Sequence, residues 1–198
     1  MAQLPVIDLT QSYTADEFEQ LPEFVGRYEL RDGGLVEKPM PGYEHSWIAL
    51  LLIKLYLEFD PKMKLGTMLQ EASTKLGPKN VPQPDLSFWR ANNRPSPHTK
   101  GAGPRPDLAI EIWSPSDLES APALQEVRNK VRRYLAAGVP LVWAINPANQ
   151  VVEVYHIGQL EPILFGITET LEGENIIPGF SFSVKNLFME ESDLEEIN

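Results

Sequence analysis

The sequence predicts an α/β domain with a mixed sheet, and three observations carry that expectation. Short runs with a period of two, such as Leu108, Ile110 and Ile112 alternating with Asp107, Ala109, Glu111 and Trp113, read as strands. Two longer segments, 44–59 and 118–137, read as helices. The order is hairpin, helix, three strands, helix, strand and then a β annex, which interleaves the two kinds of element. With 198 residues and 42% hydrophobic content the chain can build one domain around a sizeable core.

Each element has a local cause. Residues 1–13 read as an irregular arm. Thr14 followed by Glu17 fits a capping box, so a short helix is expected to run to about Leu21. Residues 27–38 read as two strands joined at Asp32-Gly33, a strong hairpin signal, ended by Pro39 and Pro41. The helix at 44–59 carries Trp47, Ile48, Leu51, Leu52, Leu55, Tyr56 and Phe59 on several faces, as a core helix would, and Asp60-Pro61 stops it. A strand at 65–72 follows. A Pro-rich stretch at 77–84 then leads to a strand that Asp85 opens, and 91–105 is a long polar loop. After the Glu111 strand the chain turns at Ser114-Pro115-Ser116, and the helix at 118–137 ends on Gly138. The unbroken apolar run 141–145 reads as a fully buried strand. Segments 151–156 and 162–165 read as further strands, 177–180 as a turn into a closing segment at 184–188, and the acidic end 189–198 as frayed.

Composition excludes several functions. The chain has no cysteine, so disulfides, thiolate metal sites and cysteine nucleophiles are ruled out. The N-terminus lacks the pattern of a signal peptide, and the apolar segment 47–59 is too short to span a bilayer and is broken by Lys54 and Glu58. The expectation is a cytoplasmic protein with no membrane partner. A net charge of -11 argues at first against a nucleic-acid partner. The distribution reverses that impression: residues 62–133 hold twelve of the seventeen Lys and Arg against seven acids, a local excess of five positive charges.

The chemistry centres on carboxylates. Glu111 lies inside an apolar strand, where an acid is costly to bury unless something cationic meets it. Asp85 opens another strand and faces the way its odd-numbered neighbours face, so the two carboxylates converge if these strands are adjacent. Asp107 shares a face with Glu111 but stands four residues away, roughly 13 Å at strand rise, too far for the two to ligate one ion. Paired oxygen ligands select a hard cation, Mg²⁺ or Mn²⁺, with the remaining positions left to water and a substrate phosphate. Lys130, on the helix after the Glu111 strand, is the lysine best placed to orient water or stabilise developing charge; Glu126 and Tyr134 lie one turn to either side of it. Bland alternatives stand beside each of these: a turn residue for Asp85, a strand start for Asp107, a solvated lysine for Lys130.

Pro84-Asp85-Leu-Ser-Phe, Pro106-Asp107-Leu-Ala-Ile-Glu111-Ile-Trp-Ser-Pro-Ser, Lys130-Val-Arg-Arg-Tyr134 and Val142-Trp-Ala-Ile-Asn-Pro, together with Tyr28-Glu-Leu-Arg-Asp-Gly-Gly, His45 and Ile177-Pro-Gly-Phe, resemble the Uma-type restriction endonuclease family. This family belongs to the PD-(D/E)xK nuclease superfamily, and the resemblance spans roughly residues 12–188. It implies a restriction-endonuclease-like core, flanked here by the N-terminal hairpin and the C-terminal β annex, and metal-dependent cleavage of DNA phosphodiesters. It further implies that Asp85 is the motif aspartate, Glu111 the acidic member of the (D/E)xK element and Lys130 the lysine, with His45, Glu126 and Tyr134 in supporting positions; Glu37, within reach from the hairpin, and Asp107 are further candidate supporting acids. One departure stands out: Trp113 occupies the place of the motif lysine, two residues after Glu111. The alternative is a catalytically inactive module that keeps the fold and pairs as a homodimer through edge strands of the hairpin or annex.

Overall fold

Strand pairing in the computed structural model builds a six-stranded mixed sheet in the order β3-β4-β5-β6-β7-β8. The structure describes residues 7–21, 28–159 and 161–193. The first part of the expected arm (1–6), Arg27 at the expected start of the hairpin, and the end of the acidic segment (194–198) lie outside the described residues. The strands are β3 (Gly66–Gln70), β4 (Leu86–Arg90), β5 (Leu108–Ile112), β6 (Leu141–Asn146), β7 (Val151–His156) and β8 (Ile163–Gly166). Only β5 and β6 pair in parallel, and the crossover between them carries the helices α3 (Pro115–Leu118) and α4 (Ala121–Ala136). The four other pairings are antiparallel.

The alternation read from the sequence sorts the sheet into two faces. Leu108, Ile110 and Ile112 of β5 and Leu141, Trp143 and Ile145 of β6 pack against α2 (Tyr43–Phe59), whose Ile48, Leu52 and Tyr56 are buried. Ala109 and Trp113, with Val142 and Ala144 of β6, face Val131 and Tyr134 of α4 instead. The N-terminal hairpin of β1 (Tyr28–Arg31) and β2 (Gly34–Glu37) turns at Asp32 and Gly33, both at positive φ. It is tied to the body by the bridge between Leu30 and Val81. The capping box forms as expected: the Glu17 N–H donates to Thr14 Oγ1 at 3.3 Å, and the Thr14 N–H donates to Glu17 Oε2 at 2.7 Å.

Several boundaries differ from those expected. The helix expected at 118–137 starts at Ala121, where Ser120 caps it and Pro122 sits in its first turn, and the turn expected at 114–116 opens the separate one-turn helix α3, with Ser114 as its cap and Pro115 at its head. Helix α1 (Ala15–Phe18) is a single turn and stops short of Leu21. The strand expected at 65–72 ends at Gln70, because Glu71 takes a left-handed φ of 49°. Segments 151–156 and 162–165, expected in the annex, join the central sheet as β7 and β8. The annex is the small hairpin β9 (Thr170–Glu172) and β10 (Ser181–Ser183), whose strands of three residues are too short to leave a periodic signal. The closing segment Val184–Phe188 is a 3₁₀ turn that buries Val184 and Leu187 under the α2 face.

Candidate active site

The antiparallel register Leu86↔Ile110 and Ser87↔Ala109, continued by one step, sets Asp85 opposite Glu111. The Ile112 N–H donates to Asp85 Oδ2 at 2.8 Å, so the aspartate side chain extends the ladder where the backbone of β4 leaves it. Asp85 is thereby locked to the strand that carries Glu111. Both acids point to the α4 side, where the small Ala109 lets the helix approach.

Helix α4 then delivers two side chains from consecutive turns of one face. Lys130 Nζ lies 2.9 Å from Glu111 Oε2, and the Tyr134 hydroxyl donates to Glu111 Oε1 at 2.6 Å. The hairpin supplies a third acid: Glu29 Oε1 is 3.2 Å from Lys130 Nζ and accepts the Gln83 N–H at 3.0 Å. Just beyond β2, Lys38 Nζ reaches Asp85 Oδ1 at 3.1 Å and Glu71 Oε1 at 3.3 Å. From the first turn of α2, His45 Nε2 lies 3.0 Å from Asp85 Oδ2. Three carboxylates that are 5% (Glu29), 4% (Asp85) and 7% (Glu111) exposed thus share Lys130, Lys38, His45 and Arg31, which lies 3.5 Å from Glu29 Oε2.

This crowding of buried charges shows in the proton affinities. Burial pushes Glu111 up to about 7; the charges of Asp85 and Glu29 add to the rise and Lys130 opposes it. Burial also works to raise Asp85, but the hydrogen bond from His45 and the charges of Lys130 and Lys38 outweigh it and hold the carboxyl well below its usual range. Burial works to lower Lys130, and the surrounding Glu111, Glu29 and Asp85 lift it above its ordinary value instead. Burial likewise works to lower His45, while its bond to Asp85 produces a net rise. Two neighbouring carboxyls pushed in opposite directions are a common mark of functional sites.

These groups lie at the floor of a cleft of about 350 Å³, walled by Glu37, Met40, Ser116 and Glu126 among others. Of the residues singled out in the sequence, Asp85, Glu111, Lys130, Tyr134 and His45 come together. Glu37 lies on the cleft wall. Glu126 stands at the rim, half exposed, where Arg31 (2.6 Å) and Arg133 (2.9 Å) hold it. Asp107 is not brought in: at the opposite end of β5 it accepts bonds from the Arg90 N–H (2.9 Å), Arg90 Nε (2.8 Å) and Asn93 Nδ2 (3.0 Å), which anchor the long loop. Trp113 packs into the apolar layer beneath α4, so the place of the motif lysine is a core position. Glu29 and Lys38 escaped sequence reasoning. Glu29 is an acid inside a strand, the same signal that marks Glu111, but β1 is only four residues long. Lys38 follows the hairpin, and nothing in the sequence says where the hairpin docks.

A mixed sheet with a carboxylate on each of two neighbouring strands and a lysine returned from the crossover helix defines a restriction-endonuclease-like α/β protein. The chain belongs to the Uma2 family, described as "putative restriction endonuclease", whose profile matches residues 15–185. A crystal structure from Anabaena variabilis, described as a "putative nuclease", is similar at 27% sequence identity and a TM-score of 0.73, with 88% of this chain and 97% of that one covered. No curated protein matches the chain. Family and structural neighbour together support a nuclease.

Proposed function

We propose that the chain is a metal-dependent endonuclease that hydrolyses phosphodiester bonds of DNA, with Asp85 and Glu111 as metal ligands and Lys130 as the catalytic lysine. The observation that carries this reading is the pairing of Asp85 and Glu111 across β4 and β5, beneath a lysine that touches Glu111. Among the described residues no three His, Asp or Glu side chains form a ready-made cage for an ion. Mg²⁺ needs none, because it keeps several waters and takes one or two carboxylates plus substrate oxygens. The donor set therefore fits in type and number, and the excess of acids over cations lining the cleft favours a cation there. Bound at this pair, a divalent cation would polarise the phosphoryl oxygen and favour attack by water.

The protein groups have separable duties. Tyr134 fixes one oxygen of Glu111, and His45 with the Ile112 N–H fixes Asp85, so the two carboxylates keep their orientation when their charges are redistributed. Lys130 has three donors and spends two on Glu111 and Glu29, which leaves one to orient water or meet charge developing on the phosphate. Because Lys130 comes from the helix, Trp113 does not deprive the site of an ammonium group. The protein is proposed to be cytoplasmic and to pair as a homodimer.

The test is cleavage of supercoiled plasmid in Mg²⁺ or Mn²⁺ by the parent, Asp85→Ala, Glu111→Ala and Lys130→Ala. Nicking by the parent that is lost in all three variants supports the assignment. Activity that persists in the carboxylate variants moves the chemistry elsewhere. A parent that neither cleaves nor binds either ion leaves the inactive, nuclease-fold binding module as the reading.

A further inference from the structure

Two groups of basic residues stand apart in the fold. Lys130 lies in the cleft, and it and its neighbours Arg31, Lys38 and Arg133 are each held by a carboxylate. The charged groups lining that cleft are six acids (Glu29, Glu37, Asp85, Glu111, Asp117 and Glu126) against three fixed cations. Such a surface offers little to a long phosphate backbone.

The second group collects at the opposite ends of the strands. Lys62 and Lys64 stand in the turn between α2 and β3, Arg90 ends β4, Arg94 follows in the long loop, and Arg105 precedes β5. Three contacts tie these segments together: the Ala91 N–H to the Leu65 carbonyl (2.8 Å), Arg94 Nη1 to the Met63 carbonyl (3.4 Å) and Asn93 Nδ2 to the Arg105 carbonyl (3.0 Å). All five cations are exposed. Of the acids at this end, Asp60 and Asp107 are buried and already engaged, Asp60 by the Leu65 N–H and Tyr56, Asp107 by Arg90 and Asn93, and the exposed Glu58 in the last turn of α2 is paired with Lys54. Among the described residues Lys62, Lys64, Arg94 and Arg105 form no ion pair; Arg94 and Arg105 donate to the Met63 and Ala137 carbonyls and Lys64 stands near Asp60, so these exposed cations carry a local positive charge in a chain of net charge -11. Such clustering raises a local positive potential against an acidic background.

We infer that this end face is a docking surface for the phosphate backbone of double-stranded DNA, separate from the cleft. The choice of polyanion rests on the nuclease reading. The five residues of β4 between the two places span about 17 Å at strand rise. That is about five nucleotides at the 3.4 Å spacing of one strand of a duplex.

Fluorescence anisotropy of a labelled 20-base-pair duplex, measured in EDTA over a range of salt, tests this without turnover. The variant Lys62→Glu/Lys64→Glu/Arg94→Glu is compared with a control of equal charge change, Lys79→Glu/Arg132→Glu/Lys185→Glu, after thermal melts establish that both are folded. The expected result is binding at least tenfold weaker for the end-face variant than for the control. Its slope of log affinity on log salt should be shallower by about 2.7, or 0.9 for each of three lost phosphate contacts. The triple Gln variant of the same end-face positions should lose affinity in the same direction by a smaller factor. Equal weakening in both Glu triples, or a parent that does not bind at low salt, overturns the inference. Docking and cleavage fail separately: a parent that binds through this face yet never cleaves sinks the nuclease reading alone, and a cleaving parent whose end-face variant keeps its affinity sinks the docking surface alone.

Discussion

Glu111 is the residue at which burial, pairing and chemistry meet. Its carboxyl rises from an ordinary 4.5 to about 7 in the fold. A raised acid favours the fold in its neutral form, so the stability it permits is complete below about pH 4.5 and is lost as pH rises through about 7, by up to ~3 kcal/mol. Glu111→Gln removes that loss. The melting temperatures of variant and parent should converge near pH 5 and separate by pH 8 with the variant higher; a constant offset across this range would refute the assignment. Lys130 has the opposite character, because without it Glu29 and Glu111 stay buried beside each other with one cation fewer. Lys130→Met is expected to cost ~3–5 kcal/mol, the usual penalty for removing one member of a buried ion pair, read as a drop in urea midpoint at pH 8. Acidification should relieve part of that cost by protonating Glu111.

At the scale of elements, the site depends on how β3, β4 and α4 are held against β5. Gly66 of β3 sits where a Cβ would run into the Trp89 carbonyl oxygen and the Phe88 ring of β4. The carbonyl belongs to the strand ladder and cannot move alone. Gly66→Ala should therefore destabilise by ~1–3 kcal/mol, measured by urea unfolding, as an overpacked core does. A variant as stable as the parent would mean that β3 slides freely on β4. On the other side, the break between α3 and α4 at Glu119-Ser120 sets where α4 begins, and with it the register that points Lys130 and Tyr134 at the sheet.

For the whole molecule, the distribution of charge matters more than its sum. The cleft is lined by more acids than cations, and the far end of the sheet carries five exposed cations, of which Lys62, Lys64, Arg94 and Arg105 form no ion pair among the described residues. A divalent ion that binds only the folded state stabilises it by mass action, by ~2.7 kcal/mol at one hundred times its dissociation constant. Thermal melts should therefore rise by several degrees in Mg²⁺ or Mn²⁺, and the rise should vanish in Asp85→Asn and Glu111→Gln. An equal rise in those variants would place the ion elsewhere. None of the helices among the described residues is long and apolar enough to cross a membrane.

The sequence alone was sufficient for the alternation of β5, the apolar helix α2, the capping box at Thr14, and the expectation that Asp85 and Glu111 would meet if their strands were neighbours. Each of these rests on residues close together in the chain, where periodicity and turn chemistry act directly. The position of Lys130 on the helix after β5 already made it the best-placed lysine, and the resemblance added the kind of protein. Strand order and docking were decided by tertiary structure: that β4 lies beside β5 in the register pairing Asp85 with Glu111, that β7 and β8 extend the sheet and do not form an annex, and that the hairpin brings in Glu29 and Lys38. Asp107 looks in sequence like Asp85, each an acid after a proline, and only the ends of the strands on which they sit separate one from the other. Contacts between residues distant in the chain depend on which apolar faces find each other, and the local pattern of a strand is the same whichever neighbour it takes.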